Sequence, residues 1–180
     1  MSTLYDIKLI YTELVNNDVL CVTETKLDNN VNSSELLLDN FQNPDSFRKD
    51  RIINQGGGIL ICIREGLLSK RRHDLEIPEL ESVCVEIITK NVKFLLVCFY
   101  RPPKGNEPAT SWDHFENLVY NVVNSDCNVI LVGDINVDLL KTGPTSRISR
   151  ICQRYGIENV IQEPTRITSS TSTLIDPIYK

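Results

Sequence analysis

Five residues in this 180-residue chain end or follow apolar runs and have side chains suited to chemistry on a phosphate ester. Glu24 closes "DVLCVTE" and Tyr100 closes "VKFLLVCFY". Asp134 and Asn136 follow "VILVG", and Asp176 lies in "STLIDPI". Apolar runs of this length read as buried strands, and polar groups at their ends stand at a sheet rim, where ligands bind. The plain alternative at Asp134 and Asn136 is an Asx-type turn, which both residue types favour. A hard cation such as Mg²⁺ takes carboxylate oxygens and keeps several waters, which suits Glu24. An attacking water needs a base, and a charged phosphate oxygen needs donors such as an amide or a phenol. A carboxylate ligand, an aspartate base, an asparagine and a tyrosine together make a set able to cleave a phosphodiester.

The elements that must carry these residues follow from periodicity. Ile7, Ile10, Tyr11 and Leu14 have helical spacing, and "NND" ends that helix. Asp18–Thr25 reads as a short buried strand. "NQGGG" then marks a tight turn or a close backbone approach before the strand "ILICIR". "SKRR" and the following His73 read as a solvated loop. "ESVCVEII" and "VKFLLVCFY" form a hairpin around the turn "TKN". Thr110 and Ser111 can cap a helix whose apolar face is Phe115, Leu118, Val119 and Val122, with His114 on its outer side. Another helix runs from about Thr145 to Tyr155, stopped by Gly156. "IENVIQ" and "STLIDPI" read as the last strands. The hairpin excludes a purely parallel sheet, so the order of elements predicts an α/β or α+β sandwich within one domain, residues 1–180.

Bulk properties narrow the function classes. The net charge of −5, from 19 basic and 24 acidic residues, argues against a broad electrostatic grip on nucleic acid. It leaves room for an enzyme that meets phosphate through a metal. No run is long and apolar enough to span a membrane, and the start "MSTLYDIKLI" lacks a secretory pattern. None of the six cysteines forms a C-x-x-C pair. Cys21, Cys62, Cys84 and Cys98 sit in apolar runs as small hydrophobes, so reduced thiols in an intracellular protein, nuclear or cytoplasmic, are expected.

The blocks "DVLCVTETKL", "GGGILICIR", "CFYRPP", "VILVGDINVDLL" and "EPTRITSSTSTLIDPI" occur in that order. Together they resemble the endonuclease/exonuclease/phosphatase, or DNase-I-like, family, and most closely the endonuclease domain of non-LTR (LINE-type) retrotransposons. The resemblance implies a four-layered α/β/β/α sandwich of the α+β class, Mg²⁺ or Mn²⁺ as cofactor, and DNA as substrate. It implies Glu24 as the metal-binding carboxylate, Tyr100 as a phosphate contact, and Asp134 as the group that orients or deprotonates water. Asn136 then helps hold the phosphate, and Asp176 matches the carboxylate that orients a catalytic histidine. Thr165, Arg166 and Ser172 fall near the family's substrate-facing segment, without assigned roles.

Two pieces of the family pattern are not found: an opening strand ending on Asn, and a closing strand with Ser-Asp-His. Pro177 also stands where the retrotransposon pattern often has His. The expectation is therefore an incomplete domain with its first and last strands missing. Neither His73 nor His114 lies in the block that would supply the histidine. Three functional readings stay open. One is a Mg-dependent DNA-nicking domain of retrotransposon origin. The second is a non-catalytic remnant that keeps the fold and weak metal or nucleic-acid binding. The third is a phosphatase or protein-interaction module on the same fold. Weak, salt-sensitive non-specific DNA affinity is expected in any case.

Overall fold

The computed structural model describes residues 16–28, 30–51, 56–103, 105 and 108–180. The helix expected over Ile7–Leu14 lies outside them. Ten strands and two α-helices are described: β1 (Val19–Thr23), β2 (Arg48–Lys49), β3 (Ile59–Ile63), β4 (Leu68–Arg71), β5 (Glu81–Ile88), β6 (Lys93–Tyr100), α1 (Ser111–Val123), β7 (Asn128–Asp134), α2 (Arg147–Tyr155), β8 (Arg166–Ile167), β9 (Ser172–Thr173) and β10 (Ile178–Tyr179). They form a three-stranded sheet, β1-β3-β2, a five-stranded sheet, β10-β7-β6-β5-β4, and a two-stranded ribbon, β8-β9. All pairings are antiparallel except β6–β7, which is parallel and connected through α1.

The sequence dictates this layering through side-chain parity. In a strand, alternate residues face opposite sides. Leu95, Val97 and Phe99 of β6 pack with Phe115, Leu118, Val119 and Val122 of α1 and with Ile148 and Ile151 of α2. The other face of β6, Leu96, Cys98 and Tyr100, packs against Ile59, Ile61 and Ile63 of β3. The remaining β3 residues, Leu60 and Cys62, pack with Leu20, Leu38 and Phe41 on the outer side of the smaller sheet. All five residues of β3 are buried, which explains its unbroken apolar run. Helices, large sheet, small sheet and the segment of Leu38 and Phe41 thus stack in order as an α/β sandwich.

Several local expectations are corrected. Of the expected loop "SKRR", Ser69–Arg71 instead belong to the edge strand β4, in which Lys70 is exposed and Arg71 pairs with Glu76, while His73 beyond it is exposed; charges suit an edge that no further strand covers among the described residues. The hairpin turn is tighter than "TKN", because the Thr89 N–H donates to the Val92 carbonyl. "IENVIQ" forms no regular strand, but it lies along β10 through the Asn159–Tyr179 bridge, the reciprocal Glu158–Lys180 backbone bonds and the Val160 N–H, which donates to the Ile178 carbonyl. Asp176 lies before β10 rather than within a strand, since Pro177 has no N–H for a ladder. Thr110 makes no side-chain cap bond, whereas Ser146 accepts from the Ser149 N–H and caps α2. Cys21 and His114 are half-buried, neither fully inside nor fully outside. Gly156 stops α2 at φ 66°, as its sequence position predicts.

Candidate active site

The larger sheet brings Tyr100 and Asp134 together by register. β6 and β7 run parallel, and their last paired residues are Tyr100 and Asp134. Both share the parity of Leu96, Cys98, Ile130 and Val132, so they face the gap between the sheets. Gly133 allows the close approach: a Cβ there would run into the Phe99 backbone. The β10–β7 register then places Asp176 beside Asp134. Ile178 pairs with Val132, and past the strand end the Ile135 N–H still donates to the Ile175 carbonyl at 2.9 Å. From the smaller sheet, Glu24 follows β1 and accepts a hydrogen bond from the Tyr100 phenol. Residues far apart in sequence thus meet at one edge of the sandwich.

The backbone at this edge is strained where function would need it. Among the described residues, four non-glycines have positive φ: Glu24 at 54°, Lys26 at 53°, Asn40 at 66° and Asn136 at 50°. Three of these flank the site. A left-handed backbone costs an L-residue roughly 1–2 kcal/mol, and such strain concentrates at functional sites. Asn136 is held there by two bonds of its own and a third between their partners. Its N–H donates to Asp134 Oδ1 at 2.8 Å, and its Nδ2 donates to the Arg101 carbonyl at 2.9 Å. The Arg101 N–H in turn donates to the Asp134 carbonyl at 2.9 Å. The Asx turn and the chemical constellation are therefore the same structure. One N–H of the Asn136 amide serves the backbone, and its second is not needed for that bond.

Arg101, only 2% exposed, locks the same corner from behind. Its Nη1 donates to the Ile135 carbonyl at 3.0 Å, and its guanidinium lies 4.2 Å from the centre of the Trp112 ring. Burial lowers its pKa from the usual arginine value. The sequence signal for Arg101 was its place directly after Tyr100 in "YRPP".

Charge at the site is lopsided. Burial is the largest cause that pushes the Asp134 carboxyl up to about 6; the charges of Asp176 and Glu24 add to the rise, while the Asn136 N–H and Arg166 oppose it. The Tyr100 phenol is also pushed up, first by burial and then by its bond to Glu24. It therefore stays a proton donor at neutral pH. Beneath these groups a cleft of about 220 Å³ opens between the sheets, lined by Cys21, Thr23, Cys98, Val132, Gly133, Asp176, Pro177 and Ile178. Thr165 supports Asp176 through its Oγ1, which accepts the Ile175 and Asp176 N–H groups at 3.1 Å each. Arg166 and Ser172 belong to the β8–β9 ribbon. Its next residue, Ile167, is 74% exposed.

A divalent cation can be tested against this donor set. Glu24, Asp134 and Asp176 offer hard carboxylate oxygens, and their mutual repulsion at Asp134 is the charge that a cation would relieve. Among the described residues, no group of three or more His, Cys, Asp or Glu side chains is arranged to hold an ion. Hard carboxylates of this kind suit a cation that keeps most of its waters, with Glu24 as the residue to hold it. Neither histidine joins the set: His73 is exposed beside Glu76, and His114 lies on α1.

Comparison with known proteins agrees with this architecture. The endonuclease domain of TRAS1, a telomere-specific non-LTR retrotransposon, superposes with a TM-score of 0.72 at 14% identity, covering 99% of this chain and 79% of that one. The human Nocturnin catalytic domain, solved with a bound sulfate anion, gives 0.64 at 15% identity over 99% of this chain and 74% of its own. The 3′ phosphatase NExo from Neisseria, solved with a product DNA hairpin, gives 0.65 at 13% identity over 97% and 81%. At such identities the likeness shows the shared DNase-I-like fold. No curated protein sequence matches the chain. The model of the endonuclease/exonuclease/phosphatase family, however, matches residues 2–156. The chain belongs to the endonuclease/exonuclease/phosphatase family.

Proposed function

We propose that the chain is a Mg²⁺-dependent phosphodiester hydrolase domain that nicks DNA and derives from a retrotransposon. The observation that carries this reading is the meeting of Glu24, Tyr100, Asp134 and Asp176 at one sandwich edge, beside a half-open cleft. The TRAS1 endonuclease domain supports the retrotransposon part.

In this mechanism Asp134 takes the proton of the attacking water. A base works best when its pKa lies near the working pH, and burial, the largest cause and one that does not depend on the charge of Glu24, raises Asp134 in that direction. Asp176 adds to the rise at Asp134 by its charge. The second Asn136 N–H donates to the phosphate oxygens as negative charge builds there, and the Tyr100 O–H joins it by exchanging its Glu24 acceptor for a phosphate oxygen. Arg166 adds positive charge from the ribbon side. Glu24 would hold the Mg²⁺, which supplies charge neutralisation at the phosphate when bound.

A second reading is a non-catalytic domain that keeps the fold. It is favoured by the lack of a three-ligand metal group among the described residues. Incubating the purified chain with supercoiled plasmid and Mg²⁺, with EDTA and a small phosphomonoester as comparisons, separates these readings. Nicking that EDTA abolishes supports the hydrolase. A folded chain that leaves plasmid intact supports the remnant, and turnover of the phosphomonoester alone supports a phosphatase.

A further inference from the structure

A second polar network lies behind Glu24 and Tyr100, and the chemistry above does not use it. Glu81 opens β5 and is paired with Tyr100 in the β5–β6 register. Its side chain is 14% exposed, and its two oxygens do different things. Oε2 accepts the Gly58 N–H at 2.6 Å, and Oε1 accepts Arg51 Nε at 2.6 Å. The Gly58 and Gly57 carbonyls accept the N–H groups of Thr25 and Lys26, at 3.3 and 2.8 Å, directly after Glu24. The Arg51 guanidinium lies over the Tyr100 ring, 5.6 Å from its centre. One carboxylate therefore reaches both halves of the Glu24–Tyr100 pair.

The turn it holds needs holding. Glu24 and Lys26 sit at φ 54° and 53°, against Gly57 and Gly58 at 72° and 90°. Left-handed L-residues persist only where their surroundings over-determine them. The packing is close enough that a Cβ on Gly58 would strike Thr25 Oγ1, and one on Gly57 would strike Arg51 and Glu81. A rearrangement of the glycine turn would carry Thr25 and Lys26 with it, and so swing Glu24.

We propose that Glu81 is a positioning residue: by gripping the Gly58 amide and the Arg51 guanidinium, it fixes the turn that aims Glu24 and the cation that overlies Tyr100. It touches no substrate. Its catalytic consequence rests on the phosphodiesterase reading, while its structural consequence does not.

Two variants test this. Glu81→Ala removes both contacts, and Glu81→Gln keeps an acceptor for Gly58 while losing the charge that faces Arg51. In plasmid nicking, Glu81→Ala is expected to lower kcat about 10²-fold, the scale of a misplacement of about 1 Å, with KM for DNA within about twofold. Glu81→Gln is expected to recover part of that loss. Amide hydrogen exchange at Thr25 and Lys26 is expected to speed up at least about tenfold, while β7 amides exchange as in the wild type. Unchanged exchange at Thr25 and Lys26, an unchanged kcat in an active protein, or equal acceleration across β7 would each overturn the proposal. If Glu81→Ala does not fold, Glu81→Gln carries the same readouts. A wild type that does not nick DNA sinks the phosphodiesterase reading, and the exchange experiment then decides the role of Glu81 alone.

Discussion

At the scale of residues, Asp134 concentrates the account. Its carboxyl is raised to about 6 by burial first and by Asp176 and Glu24 next. As the base it must be ionised, so the nicking rate is expected to fall about tenfold per pH unit below pH 6. Asp176→Asn removes one like charge, so the acid limb should move to lower pH; a pH–rate profile in which the limb stays put contradicts the coupling. Stability follows the opposite sign. A carboxyl whose folded pKa exceeds its ordinary value of 3.8 is best tolerated protonated. Its ionisation cost sets in between pH 3.8 and about 6 and is complete above that. Asp134→Asn should therefore stabilise the chain at pH 8, by about 1–2 kcal/mol after discounting for solvent screening, and by close to nothing at pH 3. Urea denaturation at the two pH values checks this. Tyr100→Phe removes one donor to the phosphate and is expected to cost about 10²-fold in kcat. Glu24, Tyr100, Asp134 and Asp176 were legible in the sequence because each interrupts or ends an apolar run. Arg51 and Glu81 were not, because only strand register and the glycine turn bring them to Tyr100.

At the scale of elements, the strands with unbroken or alternating apolar patterns were readable, and those shaped by tertiary context were not. β3 announces itself as "ILICI" because both its faces are buried. β4 is hidden because "LSKR" is an edge that can carry charge on its open side. "IENVIQ" was overread as a strand, since it lies along β10 by one bridge and a few backbone bonds without forming a regular ladder. The helix caps give a contrast that sequence alone does not. Ser146→Ala should cost about 1 kcal/mol, because its side chain accepts the Ser149 N–H. Thr110→Ala should cost less than about half of that, because Thr110 makes no side-chain cap bond. Chemical denaturation of both variants, showing equal losses, would contradict the assigned caps. Gly133→Ala should be harsher, at roughly 3 kcal/mol or failure to fold, since the added methyl meets the Phe99 backbone rather than a movable side chain.

At the scale of the whole molecule, the sandwich assembles its site where two sheets of different width part. β1 brings Glu24 from the smaller sheet, and β6, β7 and the turn before β10 bring the other groups from the larger. The charge balance of −5 argues against a general electrostatic hold on DNA. Binding of random duplex should be weak and should fade between roughly 50 and 200 mM salt, as fluorescence anisotropy would show. A tight complex that survives high salt would contradict this. The layered class was legible from the alternation of strands, hairpin and helices. The identity of the sheets was not, because β1 and β3 pair with each other and not with the hairpin that follows them.

The most direct measurement is single-turnover nicking of supercoiled plasmid in Mg²⁺ by the wild-type chain and by Asp134→Ala, with circular dichroism confirming that both are folded. The account predicts nicking by the wild type and a loss of about 10²–10⁴-fold in the variant. Equal nicking by the two folded proteins would contradict it, because the reacting water would then find its base somewhere other than the rim where β6 and β7 end.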